Sequence, residues 1–176
     1  MSKNIMVLTG SSRANSAGDK ILPMIVEAIE DVGSKAVVAD VRKLGLPFFN
    51  EKVTPASEGY VPENENAKEF QKMVQGVDGV VLLLPEYNNQ MTGIQKNAID
   101  WLYADWKDLP FSVVGYSWGG VESVLDQVDR LVSKIGGVYK NTAAQLYLTK
   151  DIDLEGNVLD KEGVKEKIEI AVKSII

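Results

Sequence analysis

Short, almost wholly apolar runs alternating with amphipathic stretches of helical period place this chain among α/β proteins, with a parallel sheet covered by helices on both faces. Two observations carry that expectation. The runs at 4–9, 79–85 and 110–117 lack the in–out alternation of a half-exposed strand, as expected of strands buried on both sides. Between runs, apolar residues recur at spacings of three and four, the signature of a helix with one buried face. The 176 residues, 45% hydrophobic and 25% charged, suffice for one domain over 1–176 with a substantial core.

The first run, NIMVLT (4–9), ends at Gly10. Ser16 is placed to cap the next helix, whose face is Ile21, Met24, Ile25, Ala28, Ile29 and Val32, and Gly33 stops it. KAVVADV (35–41) reads as a second strand. Residues 44–64 carry three prolines and many polar groups, so they are expected to be irregular. Ala67, Phe70, Met73, Val74 and Val77 mark a second helix, and GVVLLLP (79–85) is the most apolar run and the expected central strand. Ile94, Ala98, Trp101 and Leu102 stripe a third helix, and PFSVVGYS (110–117) is the fourth strand. A long amphipathic helix runs from 121 to 135, AAQLYLT (143–149) reads as the fifth strand, and a terminal helix spans about 161–175.

Composition removes several chemistries. The chain has no cysteine and no histidine, which excludes disulfides, thiolate nucleophiles, cysteine or histidine zinc sites and imidazole acid–base catalysis. A net charge of −6 disfavours nucleic acid as a partner, although one phosphate needs only local N–H donors and an arginine. No apolar run has the length of a signal peptide's core or a membrane span, so a cytoplasmic location is expected.

Sheets of this kind take ligands where the carboxyl ends of the strands meet the following helices. The loop after the first strand, TGSSRANSAGDK (9–20), offers small residues for close backbone approach, the hydroxyls of Ser11, Ser12 and Ser16, and the forked cation of Arg13. It matches neither G-x-x-x-x-G-K-[ST] nor G-x-G-x-x-G, so it suits a phosphomonoester better than a pyrophosphate. An ordinary serine-rich turn is the alternative. After the third strand, Pro85 ends the ladder because it has no N–H to give, and PEYN presents a ring and an amide at the sheet edge. After the fourth, Gly119 and Gly120 permit positive φ, while Tyr116 and Trp118 could wall a planar ring.

GSSRANS (10–16), LPFFNE (46–51), GVVLLLPEYNNQMTGIQKNAIDW (79–101) and YSWGG (116–120) together resemble the NADPH-dependent FMN reductase family of flavodoxin-like quinone, azo and chromate reductases. The likeness covers nearly the whole chain, and PEYN…KNAID is its most specific part. It implies a flavodoxin-like three-layer sandwich with strand order 2-1-3-4-5. It implies that Ser11, Arg13 and Ser16 hold the phosphate of FMN, that Pro85, Glu86, Tyr87 and Asn88 line the isoalloxazine ring, and that Ser117, Trp118, Gly119 and Gly120 lie on its far side. NADPH or NADH would supply hydride, and a small-molecule acceptor would collect it in ping-pong turnover. A homodimer or homotetramer is implied, with no nucleic acid and no membrane. Three positions depart from the family: Gly18 where asparagine is usual, Thr92 for proline and Gln95 for leucine.

Two other functions share this architecture. One is a flavodoxin-type electron carrier, which would lack PEYN and the loop arginine. The other is a flavin-free interaction protein. Two further segments remain. DIDLEGNVLDKE (151–162) fits a calcium loop at Asp151, Asp153, Gly156 and Glu162, but Glu155 departs from the pattern and a strand rather than a helix precedes it, so it reads as a turn. Residues 47–62 are too long for a simple connection and hold Phe48, Phe49 and Tyr60, which either pack on their own core or meet a second copy.

Overall fold

The computed structural model describes residues 2–176. Strand β1 (Asn4–Thr9), helix α1 (Ala17–Asp31), β2 (Lys35–Ala39), α2 (Glu65–Gln75), β3 (Gly79–Pro85), α3 (Gly93–Asp100), β4 (Pro110–Ser117), α4 (Glu122–Lys134), β5 (Val138–Tyr147) and α5 (Lys161–Lys173) follow one another, with a 3-10 turn at Ala104–Trp106. All strand pairs are parallel and the order is β2-β1-β3-β4-β5, the flavodoxin-like arrangement. From β1 the chain crosses one way to β2 and then the other way to β3. Loops therefore diverge at the carboxyl ends of β1 and β3, which leaves a cleft.

Alternate residues of the central strands feed two cores. Met6, Leu8, Val80, Leu82, Leu84, Phe111 and Val113 pack with α2, α3 and α4 on one face. Ile5, Val7, Val81, Leu83, Val114 and Tyr116 pack with α1 and α5 on the other. This two-sided burial is why the runs read as continuously apolar.

The fifth strand starts earlier than its sequence suggests, at Val138 rather than 143, and slips register opposite Phe111 and Val113. It is an edge strand whose first half holds Lys140 and Asn141, so burial left no hydrophobic mark there. Residues 44–64 contain no helix or strand, as expected. They are nonetheless tied down. The Pro47 carbonyl accepts from Asn97 Nδ2 and Trp101 Nε1, each at 2.9 Å, and Phe49 meets Trp101 edge-on with centroids 5.2 Å apart. The Glu51 carboxylate accepts the Tyr60 hydroxyl at 2.8 Å and the N–H groups of Glu63 and Asn64 at 2.7 and 2.9 Å. Phe49 and Tyr60 thus fold inward, while Phe48 stays 81% exposed.

Candidate functional site

A cavity of about 630 Å³ lies beside Lys107 and Gly136, at the amino ends of β4 and β5 and away from the cleft. The cleft itself holds two neighbouring spaces. One of about 60 Å³ is lined by Ser11, Arg13, Asn15, Ser16, Tyr116 and Leu154 among others, and one of about 350 Å³ by Ser12, Phe48, Thr92, Ile94 and Asn97. Tyr87 borders both.

The first loop is built around the start of α1. Ser11 and Ser16 are buried, and the Ser11 hydroxyl accepts the Arg13 N–H at 3.2 Å. Ser16 is the N-cap of α1, and Asp19 reaches back to accept its N–H at 3.0 Å. Arg13 is exposed at the mouth of the smaller space. Under the loop lies Arg42, which sequence reasoning missed. Its guanidinium binds Asp19 at 2.7 Å and Asp40 at 3.0 Å and donates to the Arg13 carbonyl at 3.4 Å. Burial pushes the Asp40 carboxyl up, but the hydrogen bonds and charge of Arg42 outweigh it and hold the group below its ordinary range. Asp40 lies two residues before Arg42, but Asp19 reaches the same guanidinium only through the fold, so the sequence did not mark the cluster.

After Pro85, the Glu86 N–H still pairs with the Tyr116 carbonyl at 3.3 Å. Tyr87 and Gln90 then exchange both backbone hydrogen bonds, at 2.9 and 3.1 Å, around Asn88 and Asn89 at φ 54° and 62°. This is the left-handed two-residue turn that asparagine tolerates. The turn is pinned by Glu86, which accepts the Asn89 N–H, and by Gln127 of α4, which donates to the Asn89 carbonyl at 2.8 Å. Tyr87 projects at 39% exposure, and Asn88 sits exposed at the tip.

Two of the unusual residues act as a pair. Thr92 caps α3 and donates its hydroxyl to the Gly10 carbonyl at 2.5 Å. Gln95, fully buried, donates to the carbonyls of Leu8 at 3.0 Å and Leu83 at 3.3 Å. Together they tie the start of α3 to the first loop and to the ends of β1 and β3.

In the third loop the Ser117 hydroxyl donates to the Gly120 carbonyl at 2.5 Å and accepts the Gly119 N–H at 3.2 Å. Gly120, at φ 79°, cannot be replaced freely, since a Cβ there would lie 2.8 Å from the Tyr147 ring. Trp118 is 66% exposed. Tyr116 lines the smaller space of the cleft. It belongs to the α1/α5 face, is buried, and runs beneath the start of α1.

The calcium-like segment also borders this site. Leu148 and Leu154 wall the smaller space, and Gly156 lies so close to α1 that a Cβ would sit 2.4 Å from Ala17 Cα. Asp151 accepts Lys167 Nζ and the Tyr147 N–H, both at 2.8 Å, and Asp153 accepts the N–H groups of Glu155 and Asn157 at 3.0 and 2.7 Å. The Asp151 and Asp153 carboxylates are thus already engaged, Asp151 with α5 and the end of β5 and Asp153 within its own turn. Calcium is therefore expected to leave the melting temperature unchanged beyond a general salt effect, whereas a saturable rise lost in Asp151→Ala would mean that a site exists.

Residues 3–146 match the family model described as NADPH-dependent FMN reductase. The chain belongs to that family. Among members similar to it, the NAD(P)H-dependent FMN reductase LOT6 of Saccharomyces cerevisiae is 28% identical over 172 residues, covering 89% of this chain and 90% of that one. The 2-hydroxy-1,4-benzoquinone reductase of a Burkholderia species is 25% identical over 173 residues, 92% and 88% of the two chains. The solved structure of the Paracoccus denitrificans flavoenzyme FerB superposes with TM-score 0.75 at 22% identity, covering 98% of this chain and 97% of that one, which speaks to the fold.

The family's cofactor, FMN, suits the residues present. Buried hydroxyls and the amino end of a fifteen-residue helix suit a terminal phosphate. No described helix is long and apolar enough to cross a membrane.

Proposed function

We propose that this FMN reductase family member passes reducing equivalents from NADPH or NADH to a small-molecule acceptor at the cleft above β1, β3 and β4. The observation that carries this reading is the junction at Tyr87 of a small, hydroxyl-lined space and a larger, partly apolar one. Ser11, Arg13 and Ser16 would hold the FMN phosphate. Pro85, Glu86, Tyr87 and Asn88 would line one edge of the ring, and Ser117, Trp118, Gly119 and Gly120 the other. When bound, FMN supplies the hydride-accepting and electron-donating chemistry. The protein's own work is binding, orientation and exclusion of water. That work needs no thiol or imidazole, which agrees with a chain that has neither. Quinones, azo compounds, metal oxyanions and free flavins are the acceptor classes to assay.

The released chromophore of the purified protein should be FMN, and a protein that stays colourless and takes up no added FMN would refute this reading. Arg13→Ala should weaken FMN by about 1–3 kcal/mol, the range for a hydrogen bond to a charged group, and leave riboflavin unaffected. If one face of the bound flavin serves both nicotinamide and acceptor, the two should exclude each other. Double-reciprocal plots would then be parallel, and intersecting lines would indicate simultaneous occupancy. If neither nicotinamide bleaches the bound flavin as fast as turnover, an electron carrier is the better description. We also place a second copy of the chain over Phe48, giving a homodimer or homotetramer. Sedimentation of wild type and Phe48→Ser tests it, a monomeric wild type being the adverse result.

A further inference from the structure

We propose that the Tyr116 hydroxyl is a direct hydrogen-bond donor to the terminal phosphate of bound FMN, reaching it through the space left by the missing side chain of Gly18. This rests on the FMN reading above and adds to it a residue from β4, on the far side of the first loop. Tyr116 is 8% exposed, with its ring packed in the core beneath α1 and α5. Its oxygen emerges at the start of α1, where a Cβ on Gly18 would lie 2.8 Å from it and 3.4 Å from both Tyr116 Cε1 and Ser16 Oγ. Residue 18 can carry no side chain while the tyrosine stands there. The two positions are complementary, one supplying the polar atom and the other the room.

What surrounds the oxygen points to an anion. Ser11, Ser16 and the Gly18 N–H are its polar neighbours, and Ser11, Arg13, Ser16 and Tyr116 line one space of about 60 Å³ at the amino end of α1. Each of these groups can present a proton to a phosphate oxygen. A phenylalanine would fill the same core, so the hydroxyl is the part that packing does not explain. Burial pushes the phenol's titration up, and the nearby polar groups of Ser16 and Gly18 offset this only in part. The group therefore remains a protonated donor near neutral pH.

The test measures dissociation constants of the apo-protein for FMN and for riboflavin, which lacks the phosphate. Tyr116→Phe should weaken FMN by roughly ten- to hundredfold and riboflavin by less than about twofold. Gly18→Ala, which displaces the hydroxyl, should weaken FMN in the wild-type background yet add little to Tyr116→Phe, where the colliding oxygen is gone. Equal FMN affinity in wild type and Tyr116→Phe would overturn the proposal, as would parallel losses for FMN and riboflavin. Should Tyr116→Phe fail to fold, Gly18→Ala carries the test alone: a loss confined to FMN supports the role, and no such loss refutes it. Failure of the wild type to bind FMN would instead remove the reading beneath it.

Discussion

Trp101→Ala is expected to lower the unfolding free energy by about 3–5 kcal/mol, the cost of emptying a large aromatic site in a close-packed core. Trp101 is fully buried at the end of α3, its indole N–H donates to the Pro47 carbonyl at 2.9 Å, and Phe49 packs edge-on against it. The substitution therefore empties the core and unfastens the 44–64 loop together. Against the 5–15 kcal/mol typical of a natural domain, this is a large fraction. Trp101→Phe keeps most of the ring and loses the hydrogen bond, so about 1 kcal/mol should be lost. Urea unfolding of the variants measures both. Because Phe48 borders the larger space of the cleft, loss of the anchor should also raise KM for the acceptor more than it lowers kcat. An alanine variant within 1 kcal/mol of wild type would show that the loop and core relax around the gap.

Lys167→Met should cost about 2 kcal/mol at neutral pH, and the cost should shrink on acidification. Asp151 is nearly buried, with a side chain 4% exposed against 35% for Lys167. Removing the cation strands a buried carboxylate, worth about 3–5 kcal/mol for a wholly enclosed pair, and the exposure of Lys167 lets water soften the loss. Burial raises the Asp151 pKa, but the Lys167 hydrogen bond, the Tyr147 N–H and the nearby charges of Lys167 and Lys150 outweigh it, so the folded value lies below the ordinary one. A depressed carboxyl stabilises the fold fully above its unfolded pKa of about 3.9, and the contribution disappears as pH falls through the folded value. The gap between wild type and variant should thus be full at pH 7 and close as pH falls below the ordinary carboxyl range. A gap independent of pH would mean that the methylene stem of Lys167, not its charge, holds α5 to the loop.

How much was legible depended on where burial left a pattern. The strands at 4–9, 79–85 and 110–117 agree with the structure at both ends, because each is enclosed on two faces and flanked by polar residues. The edge strand failed at its start, where Lys140 and Asn141 face solvent and only backbone pairing with β4 defines the element. PEYN was legible as a strand terminator followed by a turn. Its left-handed asparagine pair and the brace from Gln127 were not, since a helix some forty residues on supplies the contact. The same holds for Thr92 and Gln95, which as letters are departures from a family pattern and in the fold are a stitch between α3 and the first loop.

The residues by themselves determined the order and kind of the elements, the absence of thiol and imidazole chemistry, and which strand ends carry the loops of the cleft. Hydrophobic period and turn chemistry are local, and they survive in the one-dimensional chain. Tertiary structure alone decided the partners. It brought Arg42 under the first loop between Asp19 and Asp40, and it set Leu154 of the calcium-like segment against the smaller space and Gly156 against α1. It also set Tyr116 opposite Gly18. Apart from the Arg42–Asp40 pair, each of these contacts joins residues far apart in the chain. Only the packing of helices on the twisted sheet brings such groups within hydrogen-bonding reach.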